Sequence, residues 1–287
     1  MQPDRAGTSD VIDDDIRAEI LRRLANAEAE QGVRILFAIE SGSRAWGFAS
    51  PNSDYDVRFV YMHEPTWYQA VDLEERRDVI EYPIVDDIDL NGWDVRKALR
   101  LFWKSNPAFV EWIQSPITYL ERGTFRTDAL RALPGVYLPE KGLYHYRSMA
   151  KTNYRGYLRE EMVRLKKYFY ALRPLLAARW VARNGQAAPI EFDRLLTMLD
   201  DQAVLDAIDA LLVQKRAAPE LGLAPAVPIL NAFIEAELAD APADVPAKPQ
   251  GAHVIATLNT LFHDALRGER NALPANPGEP GECSITS

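Results

Sequence analysis

Two aspartates separated by one residue, Asp54 and Asp56, are the side chains in this sequence best placed to do chemistry. Side chains on a strand alternate in direction, so positions i and i+2 face the same side. Two carboxylates held this close repel each other unless a divalent cation neutralises them, and Mg²⁺ prefers oxygen ligands of this kind. The pair therefore predicts a metal site for Mg²⁺, with Mn²⁺ as a possible substitute.

A glycine–serine turn, Gly42-Ser43, follows a short apolar stretch and precedes Asp54 by eleven residues. Glycine lets the backbone approach a ligand closely, and a small hydroxyl residue comes next, where a helical turn can begin. This arrangement suits a triphosphate. Gly42 and Ser43 are therefore predicted nucleotide-binding residues.

A third carboxylate on an adjacent strand would complete a site for two metal ions about 3.5–4 Å apart, which activates a hydroxyl and stabilises leaving pyrophosphate. Asp89 lies between two apolar residues in a strand-like segment. Asp94 has a similar setting, but the helical spacing of Val95, Leu99 and Phe102 places it at a helix start, where aspartate is a common cap. We favour Asp89, and Asp94 remains the alternative.

The elements that must position these residues lie early in the chain. Acidic residues 13–15 cap an amphipathic helix, and strand patterns follow over 33–39, 55–61, 78–85 and 88–90. From Trp93 onward helical periodicity dominates, including a long segment over 140–184 that Pro174 is expected to kink or end. The predicted fold class is α+β: a small mixed β-sheet core with flanking helices, followed by a mainly helical C-terminal region.

This pattern divides the chain into four predicted parts. Residues 1–12 form a disordered start and 273–287 a disordered tail, because both are polar and the tail is rich in proline and glycine. Residues 13–135 form the catalytic core. Residues 136–272 form a helical domain that closes over the nucleotide.

Composition limits the classes of protein that remain. At 287 residues and 47% hydrophobic content the chain can bury a sizeable core, and its net charge of −9 restricts any nucleic-acid site to a local basic patch. A single cysteine, Cys283, excludes an internal disulfide framework and suits a reducing cytosol. No apolar run approaches the roughly 20 residues that a membrane span needs, so we predict a cytoplasmic protein without a membrane partner.

The order of these features resembles the DNA polymerase beta superfamily of nucleotidyltransferases. Its pattern is a hydrophobic strand, Gly-Gly or Gly-Ser, a spacer, Asp-x-Asp or Asp-x-Glu, and a later strand acid; Gly42, Ser43, Asp54, Asp56 and Asp89 match it one by one. More narrowly, the chain is similar to the bacterial and phage predicted nucleotidyltransferases linked to RNA repair (RlaP-like). The segments that carry this similarity are GSRAWGFASPNSDYDVRFVY (42–61), DLNGWDVRK (89–97), KSNPAFVEWIQSP (104–116) and KKYFYALRPLLAARW (166–180).

The resemblance implies a Mg²⁺-bound nucleoside triphosphate held by the Gly42-Ser43 turn, and transfer of its nucleoside monophosphate to an acceptor hydroxyl. Asp54, Asp56 and Asp89 would be the catalytic and metal-binding residues. A nucleotide- or RNA-binding module without catalysis and a toxin–antitoxin-type interaction protein are the competing readings. The intact Asp54/Asp56 pair argues against loss of catalysis. The oligomeric state is not predicted.

Several cations are candidates for holding the triphosphate or RNA. Lys166, Tyr170 and Arg173 share one helical face, and an RNA end held by a local patch is the expected acceptor. A solvated basic face, or tyrosines packed in the core, accounts for the same spacing. The predicted nucleotide-binding residues, besides those of the turn, are Arg44, Lys151, Lys166, Lys167 and Arg173.

Overall fold

The computed structural model describes residues 12–217, 222–240 and 251–270. The helices are α1 (Asp14–Gln31), α2 (Gly42–Ala45), α3 (Val95–Trp103), α4 (Pro107–Gln114), α5 (Phe125–Val136), α6 (Pro139–Tyr157), α7 (Lys166–Asn184), α8 (Phe192–Leu196), α9 (Gln202–Ala217), α10 (Pro228–Ala239) and α11 (Ala252–Arg270). The strands are β1 (Arg34–Glu40), β2 (Tyr55–Met62), β3 (Val79–Glu81), β4 (Ile88–Asp94), β5 (Thr118–Glu121), β6 (Met162–Arg164) and β7 (Leu223–Pro225). Two 3₁₀ turns, Pro65–Gln69 and Leu73–Glu75, lie between β2 and β3.

A five-stranded mixed sheet forms the base of the molecule, with strand order β3-β4-β2-β1-β5. Strands β2 and β4 are parallel, and the other neighbouring pairs are antiparallel. This arrangement confirms the predicted α+β class, a mixed sheet with flanking helices. A tight turn at Asp86-Asp87, both with positive φ, leads into β4.

The prediction that the strands are confined to about the first third of the chain is wrong in two places. Strand β5 pairs with β1 at the sheet edge, and β6 and β7 form a separate two-stranded sheet within the helical region. These strands have only three or four residues. Runs this short carry no usable periodicity, so only their tertiary partners define them.

The long helical segment expected over 140–184 is two helices, α6 and α7, separated by the connection that contains β6. Pro174 does not end a helix, because α7 continues through it to Asn184. Proline removes one backbone N–H, but the neighbouring turns of a buried helix maintain the remaining hydrogen bonds. The break between the helices therefore lies between Tyr157 and Lys166, before the predicted position at Pro174.

Each face of the sheet packs against its own apolar cluster. Val57 and Phe59 of β2 belong to the cluster that includes helix α1. Val60 and Met62 belong to the larger cluster, which continues through the helical region as far as α11. Because strand residues alternate between faces, the even-numbered side chains near the start of β2 project toward the helical region.

Most of the predicted disordered segments, 1–12 and 273–287, lie outside the described residues. Ile12, at the end of the first segment, is described and buried. The predicted boundary after residue 135 falls at the end of α5, and the division into two domains stays a prediction. Within the ranges described, no helix combines the length and apolarity that a membrane crossing requires.

Candidate active site

Asp56 and Asp89 are cross-strand neighbours on the parallel strands β2 and β4. Arg58 joins the two carboxylates: its Nη2 lies 2.9 Å from Asp56 Oδ1 and 2.7 Å from Asp89 Oδ2. Its Nη1 donates to the carbonyl of Asp89 at 2.9 Å. The guanidinium therefore holds two like charges together.

The turn after β1 brings Gly42 against the Asp56 side chain. Gly42 has a φ of +62°, and the N–H of Ser41 donates to the carbonyl of Asp56 at 2.9 Å. A Cβ added to Gly42 would lie only 2.0 Å from Asp56 Oδ2. Both the backbone conformation and the close approach therefore require glycine at this position. Ser43, the next residue, is buried.

Arg44 fixes the linker that carries Asp54. Its Nη2 donates to the carbonyl of Ser53 at 2.6 Å, its Nε donates to that of Asp54 at 3.3 Å, and the guanidinium stacks over Tyr55. Asp54 itself is exposed just before β2. Arg44 is buried, so its contacts position the first aspartate of the pair.

Glu40, the last residue of β1, accepts a hydrogen bond from the backbone of Asp56. Its Oε1 accepts the N–H of Asp56 at 3.0 Å, and its Oε2 accepts the Tyr119 hydroxyl at 2.7 Å. Burial raises the pKa of Glu40 to about 7, against the opposing effect of these two hydrogen bonds. The sequence pattern did not identify this carboxylate, although it lies only two residues before Gly42.

Desolvation also raises the pKa of Asp56. The Arg58 charge opposes this shift, while the negative charges of Asp89 and Asp54 add to it. The negative charges of Asp89 and Asp54 therefore act on the Asp56 carboxylate, as expected for carboxylates held close together. A positive charge entering this group would stabilise all three ionised forms.

A cluster of cations lies around Arg44, and one member comes from far along the chain. Lys215 on α9 is only 7% exposed, and its ammonium lies 5.6 Å from the Phe48 ring. Burial lowers the pKa of Lys215 to about 8, and the neighbouring Lys166 and Arg44 lower it further. Cations that repel one another at a largely desolvated position would be stabilised by a bound polyanion.

Tyr170 on α7 lies within the electrostatic influence of the acids. Its ring packs edge-on against Trp46, with centroids 5.8 Å apart. Burial raises the pKa of Tyr170, and the charges of Asp56 and Asp54 raise it further. The Lys167 ammonium lies over the same ring. Helix α7 therefore faces the carboxylates.

Arg173, on the same helix, is placed differently from what its spacing predicted. Its guanidinium is 2% exposed, pairs with Glu111 at 2.9 Å, donates to the Ile190 carbonyl and stacks over Trp46. Glu111 also accepts from Trp46 Nε1. These contacts anchor Trp46, the residue that follows α2, to the helical region. Arg173 is thus a supporting residue in the packed interior, because a paired buried charge is costly to withdraw.

Asp94 lies five residues beyond Asp89, at the opposite end of β4, and caps helix α3. Its Oδ1 accepts the N–H of Arg96 at 2.8 Å, and its Oδ2 accepts the Tyr68 hydroxyl at 2.7 Å. The capping role expected from the sequence is confirmed. Lys151 is exposed on α6, and its part in nucleotide binding stays a prediction.

Comparison with known proteins identifies the family. The model of the RNA repair pathway DNA polymerase beta family, RlaP, matches residues 16–264. The chain belongs to this family. The match confirms the resemblance inferred from the acids and the glycine–serine turn, and it extends over the helices beyond residue 180, where the sequence offered no motif.

One curated relative and one solved structure are also similar. The uncharacterized protein YcgL of Bacillus subtilis (strain 168) is 43% identical over 224 residues, which are 78% of this chain and 85% of that protein. A nucleotidyltransferase-like protein from Exiguobacterium sibiricum is 14% identical, with 89% of this chain and 77% of that chain covered. Its TM-score of 0.30 is too low to support an argument.

Among the described residues, no group of three or more histidine, cysteine, aspartate or glutamate side chains is arranged closely enough to hold a metal ion. Arg58 takes one oxygen of Asp56 and one of Asp89. The donor chemistry nevertheless suits Mg²⁺, because these oxygens belong to carboxylates that already repel one another.

Proposed function

We propose that this member of the family transfers a nucleoside monophosphate from a nucleoside triphosphate to an acceptor hydroxyl, with Mg²⁺ or Mn²⁺ as cofactor. One observation supports this most strongly: Asp56 lies directly against Gly42 and is the register neighbour of Asp89. A close backbone approach beside paired carboxylates is what a metal-bound triphosphate needs. A network of ordinary surface ion pairs would not require glycine there.

Each residue of the proposed site has a separate task. Asp54, Asp56 and Asp89 would hold the metal, which when bound polarises the phosphoryl group and lowers the pKa of the acceptor hydroxyl. Gly42 keeps the space beside Asp56 open. Lys166 and Lys215 stabilise the negative charge of the leaving pyrophosphate.

The proposed acceptor is an RNA end, and the proposed location is the cytoplasm. The description of the family as an RNA repair pathway supports RNA, and the basic stretches on α6 and α7 supply local positive charge in a chain whose net charge is −9. Cys283, the only cysteine, suits a reducing compartment.

Incubation of the full chain with each labelled nucleoside triphosphate, Mg²⁺ and RNA of defined ends tests the reaction. Label should be incorporated into RNA, and Asp54→Asn and Asp56→Asn should each reduce incorporation by at least about 100-fold while folding is retained. Incorporation at the wild-type rate in both variants would refute the mechanism.

A comparison between the two candidate third acids makes the test sharper. Asp89→Asn should reduce incorporation, because Asp89 neighbours Asp56. Asp94→Asn should leave turnover close to wild type, because asparagine caps a helix as well as aspartate does. If Asp94→Asn abolishes transfer in a folded protein and Asp89→Asn does not, the assignment of the third carboxylate is wrong.

A further inference from the structure

Two exposed tyrosines share one lysine at the side of the proposed site. The Lys167 ammonium lies 4.1 Å from the ring centroid of Tyr157 and 5.2 Å from that of Tyr170. Tyr157 is 50% exposed and Tyr170 is 36% exposed. Large aromatic rings are usually buried, so an exposed pair arranged around a cation needs an explanation.

This aromatic–cation group, Tyr157, Lys167 and Tyr170, begins beside the glycine–serine turn. The Tyr170 ring packs against Trp46, the residue that follows α2, with centroids 5.8 Å apart. Tyr157 is the last residue of α6, so the group joins the site to the connection between α6 and α7. A single-stranded nucleic acid lying on these rings would have one of its ends in the site.

The connection is also basic. Residues 155–167 contain five lysines and arginines against two glutamates, in a chain whose net charge is −9. Arg155, Arg159 and Arg164 are all exposed. Local positive charge attracts phosphates, and exposed aromatic rings provide faces on which unpaired bases stack.

We propose that Tyr157, Lys167 and Tyr170 bind the acceptor as a single-stranded RNA end, with bases stacked on the two rings and a phosphate held by the lysine. This inference rests on the proposed function, since it assigns the surface on which the acceptor of that reaction binds. Single strands are required because the bases of a duplex are already stacked inside the helix, where a flat surface ring cannot reach them.

Binding can be tested separately from catalysis by fluorescence anisotropy, with the full chain carrying Asp56→Asn and no nucleotide present. The probes are a labelled single-stranded RNA, the same RNA as a duplex, and a single-stranded DNA of the same sequence. Single-stranded RNA should bind at least about tenfold more tightly than the duplex. Tyr157→Ala should weaken that binding about fivefold or more, and Tyr157→Phe should restore it, because the ring face is kept.

Tyr144→Ala is the matched control, since Tyr144 is a more exposed tyrosine on the same helix, 72% exposed, and packs only against its neighbour His145 among the ring contacts of the described residues. It should not change the affinity for RNA. Lys167→Gln should reduce the slope of log affinity against log salt by about 0.7–1, corresponding to one lost phosphate contact.

Equal losses in Tyr157→Ala and Tyr144→Ala, or equal affinity for duplex and single strand, would overturn the inference. It would also fail if Tyr157→Ala raised the KM for the nucleoside triphosphate in the otherwise wild-type enzyme and left RNA binding unchanged. Preferential binding of single-stranded DNA would assign the surface to a different acceptor and overturn it too. Absence of transfer with intact RNA binding would instead refute the proposed function alone.

Discussion

Gly42 and Asp56 approach each other so closely that no side chain could be added between them. A Cβ on Gly42 would lie 2.0 Å from Asp56 Oδ2 and 2.9 Å from Asp56 Cγ. The contact joins the turn after β1 to the first residues of β2. Two parts of the sequence motif are therefore linked by direct steric contact.

Gly42→Ala should consequently displace the Asp56 carboxylate and reduce nucleotidyl transfer by at least about 100-fold, because misplacing a reacting group by about 1 Å has effects of that size. Steady-state incorporation of labelled nucleotide measures this. Gly123→Ala is the control: Gly123 has nearly the same φ, +65°, but nothing within 4 Å of an added Cβ. Both variants carry the backbone strain, so equal losses of activity would attribute the effect to strain and contradict the steric argument.

Arg58 neutralises the repulsion between Asp56 and Asp89, and its removal should expose that repulsion. Arg58→Gln should lower the unfolding free energy by about 1–3 kcal/mol without metal, since an ion pair of limited exposure is broken. Added Mg²⁺ should then raise the Tm of the variant more than that of wild type, because the freed carboxylates gain a ligand.

The control for this experiment is Arg77→Gln, which breaks an exposed pair with Glu81. Such a pair contributes about 0–1 kcal/mol and lies apart from the acids, so the response to Mg²⁺ should not change. Thermal unfolding with and without millimolar Mg²⁺ gives both quantities. An equal response to Mg²⁺ in wild type and Arg58→Gln would argue against a metal site at these carboxylates.

Lys215 should contribute to ligand binding at a cost to the stability of the free protein. Lys215→Met removes a buried charge, so the ligand-free Tm should stay equal or rise. The Kd for pyrophosphate should rise about tenfold, the effect of one lost charge-assisted hydrogen bond. Calorimetric titration measures the Kd, and the exposed Lys141→Met on α6 serves as control. A pyrophosphate affinity unchanged by Lys215→Met would exclude the lysine from the site.

Asp94 should make the stability depend on pH in a specific direction. Burial raises the pKa of Asp94 to about 6, from an ordinary value of 3.8, so the folded state holds this proton more tightly than the unfolded state. Ionisation therefore disfavours folding, and the contribution to stability is lost as the pH rises from about 4 to about 6.

Asp94→Asn keeps the cap of α3 but removes this ionisation. Relative to wild type, the variant should gain about 1–3 kcal/mol of unfolding free energy between pH 4 and pH 6, measured by urea denaturation. Asp201→Asn, at an exposed cap before α9, should show a much smaller change over the same range. A constant difference between Asp94→Asn and wild type across these pH values would show that Asp94 does not titrate there.

The local features of this protein follow from its sequence, because they depend on residues close together in the chain. The spacing of Asp54 and Asp56, the glycine in the turn after β1 and the cap at Asp94 all depend on strand and helix periods or on turn chemistry. The same order of motifs indicated the family that the comparison identified. None of these inferences required knowledge of distant contacts.

Tertiary packing decided which distant residues meet. Parallel pairing of β2 with β4 sets Asp89 beside Asp56, and packing of α9 brings Lys215 close to Arg44, which lies more than 150 residues earlier in the chain. Arg173 has the spacing of a basic surface residue, yet Glu111 pairs with it in the interior. Such neighbours depend on how whole elements dock and on which charges are buried together. The local periodicity of the sequence does not predict either of these.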